Sequence, residues 1–138
     1  MNDPENKPEF PLVLERLVFT RSVVIAIPNH KPNENPDPLA PNNTLDVHPM
    51  EENPRRYMVI MKSVFNHAEN PTYPYVIDME CLAVFAADSS LPHDEALRAA
   101  TITGHSVLYG AIREAVSWIT GRQPYGPFML GISVLKSA

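Results

Sequence analysis

The sequence predicts one α+β domain, in which an antiparallel sheet from residues 12–86 packs against a long helix at residues 103–120. Apolar and polar residues alternate, with the period of a strand, in several segments of the first range. In the second range the apolar residues recur at helical spacing instead. A chain of 138 residues has the commonest size of one domain, so a single domain over residues 1–138 is expected.

The first predicted element is a β segment from Leu12 to Ile27, rich in the β-branched residues that favour strands. The polar cluster Thr20-Arg21-Ser22 interrupts it, so the pattern predicts either one long bent strand or two short ones. Residues 1–9, which precede it, are polar with two prolines and are predicted to be a disordered tail.

A proline-rich crossover is predicted at residues 28–49, which contain six prolines and five asparagines. Proline has no backbone N–H to donate, so this composition argues against a helix or a central strand. Long loops without secondary structure are usually functional. The crossover is therefore a candidate part of a binding site.

Two further strands are predicted at residues 56–66 and 75–86. One face of the first carries Tyr57, Val59, Met61, Ser63 and Phe65. One face of the second carries Tyr75, Ile77, Met79, Cys81, Ala83 and Phe85. Its other face carries Asp78 and Glu80 and should meet solvent. Because a local turn joins the two strands, they should pair as an antiparallel hairpin.

Two helices are predicted after the sheet. Two serines, a proline and two acidic residues within residues 89–95 match a helix start, so a short helix is expected to run to about Ala100. Thr103 is predicted to cap a second, longer helix through Thr120. Gly121 is predicted to end that helix in the left-handed conformation.

The longer helix carries an apolar arc that is broader than one sheet can cover. The arc consists of Val107, Leu108, Ala111, Ile112, Ala115, Val116, Trp118 and Ile119. Beside it lie the small residues Ser106, Gly110 and Ser117, which we expect at a subunit interface where two backbones approach closely. The alternative is a monomeric core helix with Trp118 half exposed.

Composition and charge favour a soluble cytoplasmic binding protein. The net charge of −5 would repel phosphate backbones and argues against a nucleic-acid partner. No apolar run approaches the ~18 residues of a membrane span, and no secretory signal is visible at the N-terminus. The single cysteine, Cys81, cannot form an internal disulfide and is predicted to be a buried, inert thiol.

No motif for catalysis, a metal or a cofactor is found. His93, Asp94 and Glu95 are adjacent on a predicted helix, where they point in different directions and cannot converge on one metal ion. His105 has no acidic residue four positions away and is predicted to be satisfied by hydrogen bonding. The sequence therefore predicts no enzyme, no cofactor and no metal site.

Four segments together resemble the SecB family of protein-export chaperones. They are LVFTRSVVIAIPN (17–29), TLDV (44–47), YVIDMECLAVF (75–85) and LYGAIREAVSWITGRQPYGPFML (108–130). The resemblance implies a four-stranded antiparallel sheet packed on helices, assembled as a homotetramer that is a dimer of dimers with the long helices in the interface. It also implies a holdase that binds unfolded or nascent polypeptides without ATP, with protein export as a candidate role.

Departures from the family pattern concern delivery to the SecA motor. Relatives that bind SecA present acidic residues along the first strand, where this chain has Ser22 and Ala26, and only Asp78 keeps an acidic position. The chain also stops at Ala138 without the family's metal-binding tail. SecA is therefore doubtful as a partner, and a stand-alone, phage, plasmid or antitoxin-associated chaperone is equally expected.

Client polypeptide is expected in a groove between the crossover and the segment after the long helix. The groove residues are Leu39, Leu45 and Val47 on one side, and Tyr125, Phe128 and Leu130 on the other. Aromatic side chains on proline-fixed walls can pack against varied side chains. The alternative is that these residues fill the protein's own core. Two other functions stay open, an adaptor that binds one specific partner and an unrecognised small-molecule enzyme.

Overall fold

A computed structural model describes residues 11–32 and 39–135. Its elements are β1 (Leu12–Ala26), β2 (Asn42–Pro49), β3 (Arg56–Phe65), β4 (Tyr75–Ala87) and α1 (His93–Thr120). The strands form one sheet in the order β1-β4-β3-β2, with every neighbouring pair antiparallel. The predicted α+β class and four-stranded antiparallel sheet with a C-terminal helix are confirmed. The predicted tail at residues 1–9 lies outside the described residues.

The strand β1 is a single long edge strand with two irregularities. Its register against β4 shifts between Leu14 and Arg16 and again between Phe19 and Arg21. A register shift of this kind bends the strand and increases its twist. The second shift falls at the polar cluster that interrupts the apolar pattern. Of the two predicted alternatives, one long bent strand is therefore the correct one.

The strand β2 shortens the predicted crossover. Asn42–Pro49 pairs with β3 as the other edge of the sheet, so the connection after β1 ends at residue 41 and not at residue 49. Prolines are tolerated in an edge strand because no neighbour on the open side needs their missing N–H. Residues 33–38 of the crossover lie outside the described part of the chain.

The hairpin of β3 and β4 forms the centre of the sheet and has the predicted faces. All five predicted residues of β3 and all six of β4 are buried. The turn between them is held by Asn66, which adopts a positive φ of 59°. Its Nδ2 donates to the Tyr75 carbonyl at 2.9 Å, and its Oδ1 accepts from the Asn70 N–H at 2.7 Å.

The helix α1 is continuous, so the prediction of two helices is wrong. Residues 101–103 contain neither proline nor glycine, and Thr101 satisfies its hydroxyl within the helix by donating to the Leu97 carbonyl at 2.8 Å. Thr103 therefore lies in the helix interior and caps nothing. Polar β-branched residues lower helix propensity only slightly, and packing against the sheet outweighs that cost.

Both helix ends differ from the prediction. The residue before the helix is Pro92, and no side chain caps it, because Ser90 binds the Asp88 carboxylate instead. Gly121 at the other end is right-handed, with φ −60°. Its N–H donates to the Ser117 carbonyl at 3.0 Å, so the last turn continues through the glycine.

The core lies between α1 and the inner face of the sheet. Helix residues that are buried there are Ala96, Ala100, Gly104, Leu108, Tyr109, Ile112, Val116 and Thr120. At Gly104 the helix comes so close to β3 that a Cβ would lie 2.8 Å from the Val59 Cγ1. The other sheet face carries the ion pair of Arg21 with Asp78 at 2.8 Å. No helix of the described residues is long and apolar enough to cross a membrane.

Candidate functional site

The segment after α1 runs back along the helix in an extended conformation. The Phe128 N–H donates to the Thr120 hydroxyl at 2.8 Å, and Arg113 Nε donates to the Leu130 carbonyl at 2.9 Å. Further along, the Tyr109 hydroxyl donates to the Gly131 carbonyl at 2.5 Å. The segment therefore runs antiparallel to the helix, from its C-terminal end toward its middle. We call residues 131–135 the C-terminal strap.

A groove separates β2 from the C-terminal strap, with a cavity of about 450 Å³. Residues 40–45 form one wall, residues 132–135 form the other, and Met61 and His105 complete the lining. A cavity of this size falls within the range of ligand sites. Leu45 and Met61 supply apolar surface from the sheet, so the groove combines an apolar wall with polar groups.

A polar cluster of three side chains joins the walls of this groove. Asn43 Nδ2 donates to the Ser133 hydroxyl at 2.9 Å, and the same hydroxyl lies 3.1 Å from His105 Nε2. The prediction that His105 is satisfied by hydrogen bonding is confirmed. Asn43 Oδ1, in contrast, is buried and has no hydrogen-bond partner among the described residues.

The groove lining contains little that could perform acid–base chemistry. His105 is the one titratable side chain among the described lining residues, and no carboxylate stands beside it. No group of three or more His, Cys, Asp or Glu residues in the described chain could hold a metal ion. The arrangement is suited to binding a peptide backbone through hydrogen bonds and apolar contacts.

The predicted client-binding residues are spread over four regions: the groove, the core, the crossover and an aromatic cluster. Leu45 lines the groove, while Val47 packs on the core from the same face of β2. Leu39 is exposed at the edge of the described crossover. Leu130 is fully buried in the core, at 0% exposure. Their roles in client binding stay a prediction, and Leu130 has no surface on the groove in this conformation.

The remaining two predicted residues belong to an aromatic cluster at the end of the sheet. Phe128 packs against Phe65, with ring centroids 5.2 Å apart, and against Tyr75 at 6.2 Å. Tyr125 contacts the other side of Tyr75 and donates its hydroxyl to the Ile27 carbonyl. Burial raises the pKa of Tyr75, whose hydroxyl donates to the Gly126 carbonyl at 2.7 Å. This cluster fixes where the segment after α1 leaves the helix.

Sequence reasoning missed the groove residues Asn43 and Ser133. Neither belongs to a motif, because an asparagine in a proline-rich segment and a serine in a turn-rich one usually serve local turns. They lie 90 residues apart in sequence and meet only because β2 and the strap both flank α1. The apolar alternation in TLDV, at residues 44–47, was the one available signal for this wall of the groove.

Cys81 is buried in the middle of β4, and burial raises the pKa of its thiol to about 11. The thiolate is the reactive form, so at pH 8 we expect alkylation of the native protein to be at least about 100-fold slower than that of an ordinary cysteine with a pKa near 8.5. Mass spectrometry after timed exposure to iodoacetamide measures this rate. Fast labelling of native protein, equal to that in denaturant, would contradict a buried thiol.

The three predicted interface residues lie on the side of α1 that faces away from the sheet. Gly110 is open, since a Cβ there would meet no atom within 4 Å, and Ser106 is exposed. Ser117 is half-buried and lines a shallow depression with Trp118. Trp118 is 61% exposed and is covered on one face by the Arg122 guanidinium, 3.7 Å from the ring centroid.

Comparison with known proteins rests on shape. No protein-family model matches the sequence, and neither does any curated protein. A similar solved structure is that of the Mycobacterium tuberculosis Rv1957 SecB-like chaperone, in complex with a ChAD peptide from the Rv1956 HigA1 antitoxin. The two chains are 21% identical, the TM-score is 0.65, and the match covers 89% of this chain and 91% of that one.

This chain has the SecB-like fold. The match extends over the sheet and the helix together, because it leaves only about a tenth of either chain unaligned. The resemblance read from the sequence is confirmed at the level of the fold. Within this fold, the two candidate binding surfaces are the groove beside β2 and the exposed side of α1.

Proposed function

We propose that this SecB-like protein is an ATP-independent holdase that binds unfolded or nascent polypeptides. The observation that carries the proposal is the groove beside β2, whose walls combine apolar side chains with Asn43 and His105, which can bond a peptide backbone. Side chains that bind the main chain recognise any sequence, whereas apolar walls select extended apolar segments. The fold shared with a chaperone that was solved with a bound peptide supports this function.

The proposal includes a cytoplasmic protein of one domain, without a catalytic activity or a cofactor. The holdase function can be tested without an export assay, because the proposal does not include SecA as a partner. Asp78, the one acidic position that matches SecA-binding relatives, is neutralised by Arg21 at 2.8 Å. Glu80 beside it accepts from the Thr20 hydroxyl at 2.6 Å, which lowers the pKa of its carboxyl, and it also pairs with Lys62. A basic partner would have to break these contacts.

Aggregation assays test the holdase directly. Several unrelated proteins are diluted from denaturant, and light scattering is followed with increasing amounts of this chain. We expect suppression at near-stoichiometric ratio for all of them, with or without ATP. An inert control protein of similar charge accounts for crowding and non-specific effects. Failure to suppress the aggregation of any client would overturn the proposal.

A second candidate is an adaptor that binds one specific partner, such as an antitoxin. The antitoxin peptide in the structure of the Mycobacterium tuberculosis chaperone favours it. The same assay separates the two candidates, because an adaptor would leave unrelated clients to aggregate. A peptide array of the partner's segments would then show one strong binding segment, whereas a holdase would bind many apolar segments.

We also propose that the protein is a homo-oligomer, a dimer of dimers, joined through the open side of α1. Replacing Gly110 by tryptophan should split the assembly, because the larger side chain would hold apart two helices that approach over Ser106, Gly110 and Ser117. Light scattering coupled to size exclusion measures the mass. The matched control is Arg98→Trp, an exposed position elsewhere on the same helix. A wild-type protein that is monomeric at micromolar concentration would refute the interface.

A further inference from the structure

The C-terminal strap forms one wall of the groove, opposite β2. Within the described chain, no backbone–backbone hydrogen bond ties residues 131–135 to another segment. Side chains hold the strap instead. The Tyr109 hydroxyl donates to the Gly131 carbonyl, and Asn43 and His105 both bind the Ser133 hydroxyl. One of these contacts is to the strap's main chain and two are to a side chain, so a few polar groups hold the strap in place.

The strap is weakly held compared with the residue before it. Ile132 is 83% exposed and Val134 is 76% exposed, so little apolar surface returns to water when the strap leaves. Leu130, in contrast, is fully buried. Between them lies Gly131, where a Cβ would meet no atom within 4 Å. Rotation at Gly131 would therefore release the strap and leave the core intact.

We infer that the C-terminal strap is a displaceable wall of the client groove, and that an extended client segment takes its place beside Asn43 and His105 in order to bind. This inference rests on the proposed holdase function and specifies how its site is regulated. The strap competes with clients, so the measured affinity is the intrinsic affinity multiplied by the fraction of molecules whose groove is open.

The polar groups at the groove fit a peptide backbone better than they fit the strap. The Asn43 side chain offers an NH2 group that donates and a carbonyl oxygen that accepts, which complement the C=O and N–H of a peptide group. The strap uses only the donor, through Ser133, and leaves the buried Oδ1 without a partner among the described residues. A client peptide group can satisfy both atoms, so the exchange of strap for client removes an unpaired buried acceptor.

The expected client segment is extended, apolar and uncharged. Leu45 and Met61 line the groove with apolar surface, and no Lys, Arg, Asp or Glu belongs to its described lining. A charged segment would lose hydration there without meeting an opposite charge. Apolar segments of unfolded chains meet this description.

A reversible lock tests the inference in the full chain. Asn43 Nδ2 and the Ser133 hydroxyl lie 2.9 Å apart, so Asn43→Cys with Ser133→Cys places two thiols on facing positions, and they can join where the Cβ atoms come within about 3.5–4.5 Å of each other. The buried Cys81 does not compete for oxidant. Fluorescence anisotropy then measures binding of a dye-labelled polypeptide that is kept unfolded by reduction and alkylation.

The oxidised lock should bind this probe at least tenfold more weakly than the same protein after reduction. The two states share one sequence, and circular dichroism on both verifies that the fold is unchanged. Equal binding by the two states would overturn the inference. So would a failure of the two thiols to join under oxidation, because the strap would then not lie against β2.

Release of the strap should have the opposite effect. Ser133→Ala removes both hydrogen bonds of the hydroxyl, and we expect at least about a twofold gain in affinity for the probe, the change that corresponds to one weak net hydrogen bond. Val134→Ala, in the same strap but without a polar contact, is the matched control and should bind like the wild type.

The outcome distinguishes failure of the inference from failure of the proposed function. If wild type binds no unfolded polypeptide at all, the holdase proposal fails. If wild type binds the probe, and neither the lock nor Ser133→Ala changes the affinity, the holdase stands and the strap is no competitor.

Discussion

Replacing Leu130 by alanine is expected to lower the free energy of unfolding by about 2–5 kcal/mol, the usual loss for a fully buried leucine. The side chain is 0% exposed and belongs to the main core with Ile112 and Val116 of α1. Truncation leaves a cavity that the helix and the sheet cannot close without moving apart. Urea denaturation followed by circular dichroism measures the change.

The neighbouring Met129 supplies the matched control. It is 66% exposed, so Met129→Ala should change the free energy of unfolding by less than about 0.5 kcal/mol. If the Leu130 variant proved as stable as wild type, the segment after α1 would not be part of the core. Leu45→Ser is the suitable variant for testing client binding, because Leu45 lines the groove. A change at Phe128 would instead disturb the aromatic cluster, in which Phe128 packs against Phe65.

Replacing Gly104 by leucine should lower the free energy of unfolding by about 3 kcal/mol or more. Even a Cβ at this position would lie 2.8 Å from the Val59 Cγ1, and Val59 is fully buried in the central strand β3. The larger side chain must push α1 away from the sheet, which overpacks the core and costs more than a surface change. Denaturant titration again gives the magnitude.

An alanine pair isolates this contact from helix propensity. Gly104→Ala and Gly110→Ala both gain up to about 1 kcal/mol because alanine favours a helix over glycine, but only the first meets a neighbour. The first variant should therefore be less stable than the second by about 1–3 kcal/mol. In a Val59→Ala background the same Gly104→Ala change should cost less than it does in wild type, because the clashing methyl groups are gone. Equal stability of the two single variants would show that α1 does not approach β3 closely.

The strands and their faces could be predicted from sequence because a period of two is visible in the residues themselves. Every predicted inward position from Tyr57 to Phe65 and from Tyr75 to Phe85 is buried. Local signals misled where packing overrides them. Thr103 has the chemistry of a cap but lies within one helix, and Gly121 follows the last turn without using its freedom to be left-handed.

The groove could be predicted only in part. Leu45 follows from the alternation of its strand, and the hydrogen bonding of His105 follows from the lack of a charged neighbour. The meeting of Asn43 with Ser133 depends on the path of the segment after α1, which is set by distant contacts such as Tyr109 with Gly131. No pattern within either segment encodes that path.

The edge strands β1 and β2 have features that limit pairing with foreign strands. Such limits matter for a protein that binds unfolded chains, because those chains could otherwise add to the sheet. An uninterrupted edge strand can recruit foreign strands one after another into an insoluble fibre. In β1 the register shifts break the edge, so no regular stretch is longer than that from Arg21 to Ala26. The strand β2 has eight residues and ends at Pro49, which has no N–H to offer. Side chains can thus bind clients in the groove, while the two edge strands offer few backbone groups to which a client strand could add.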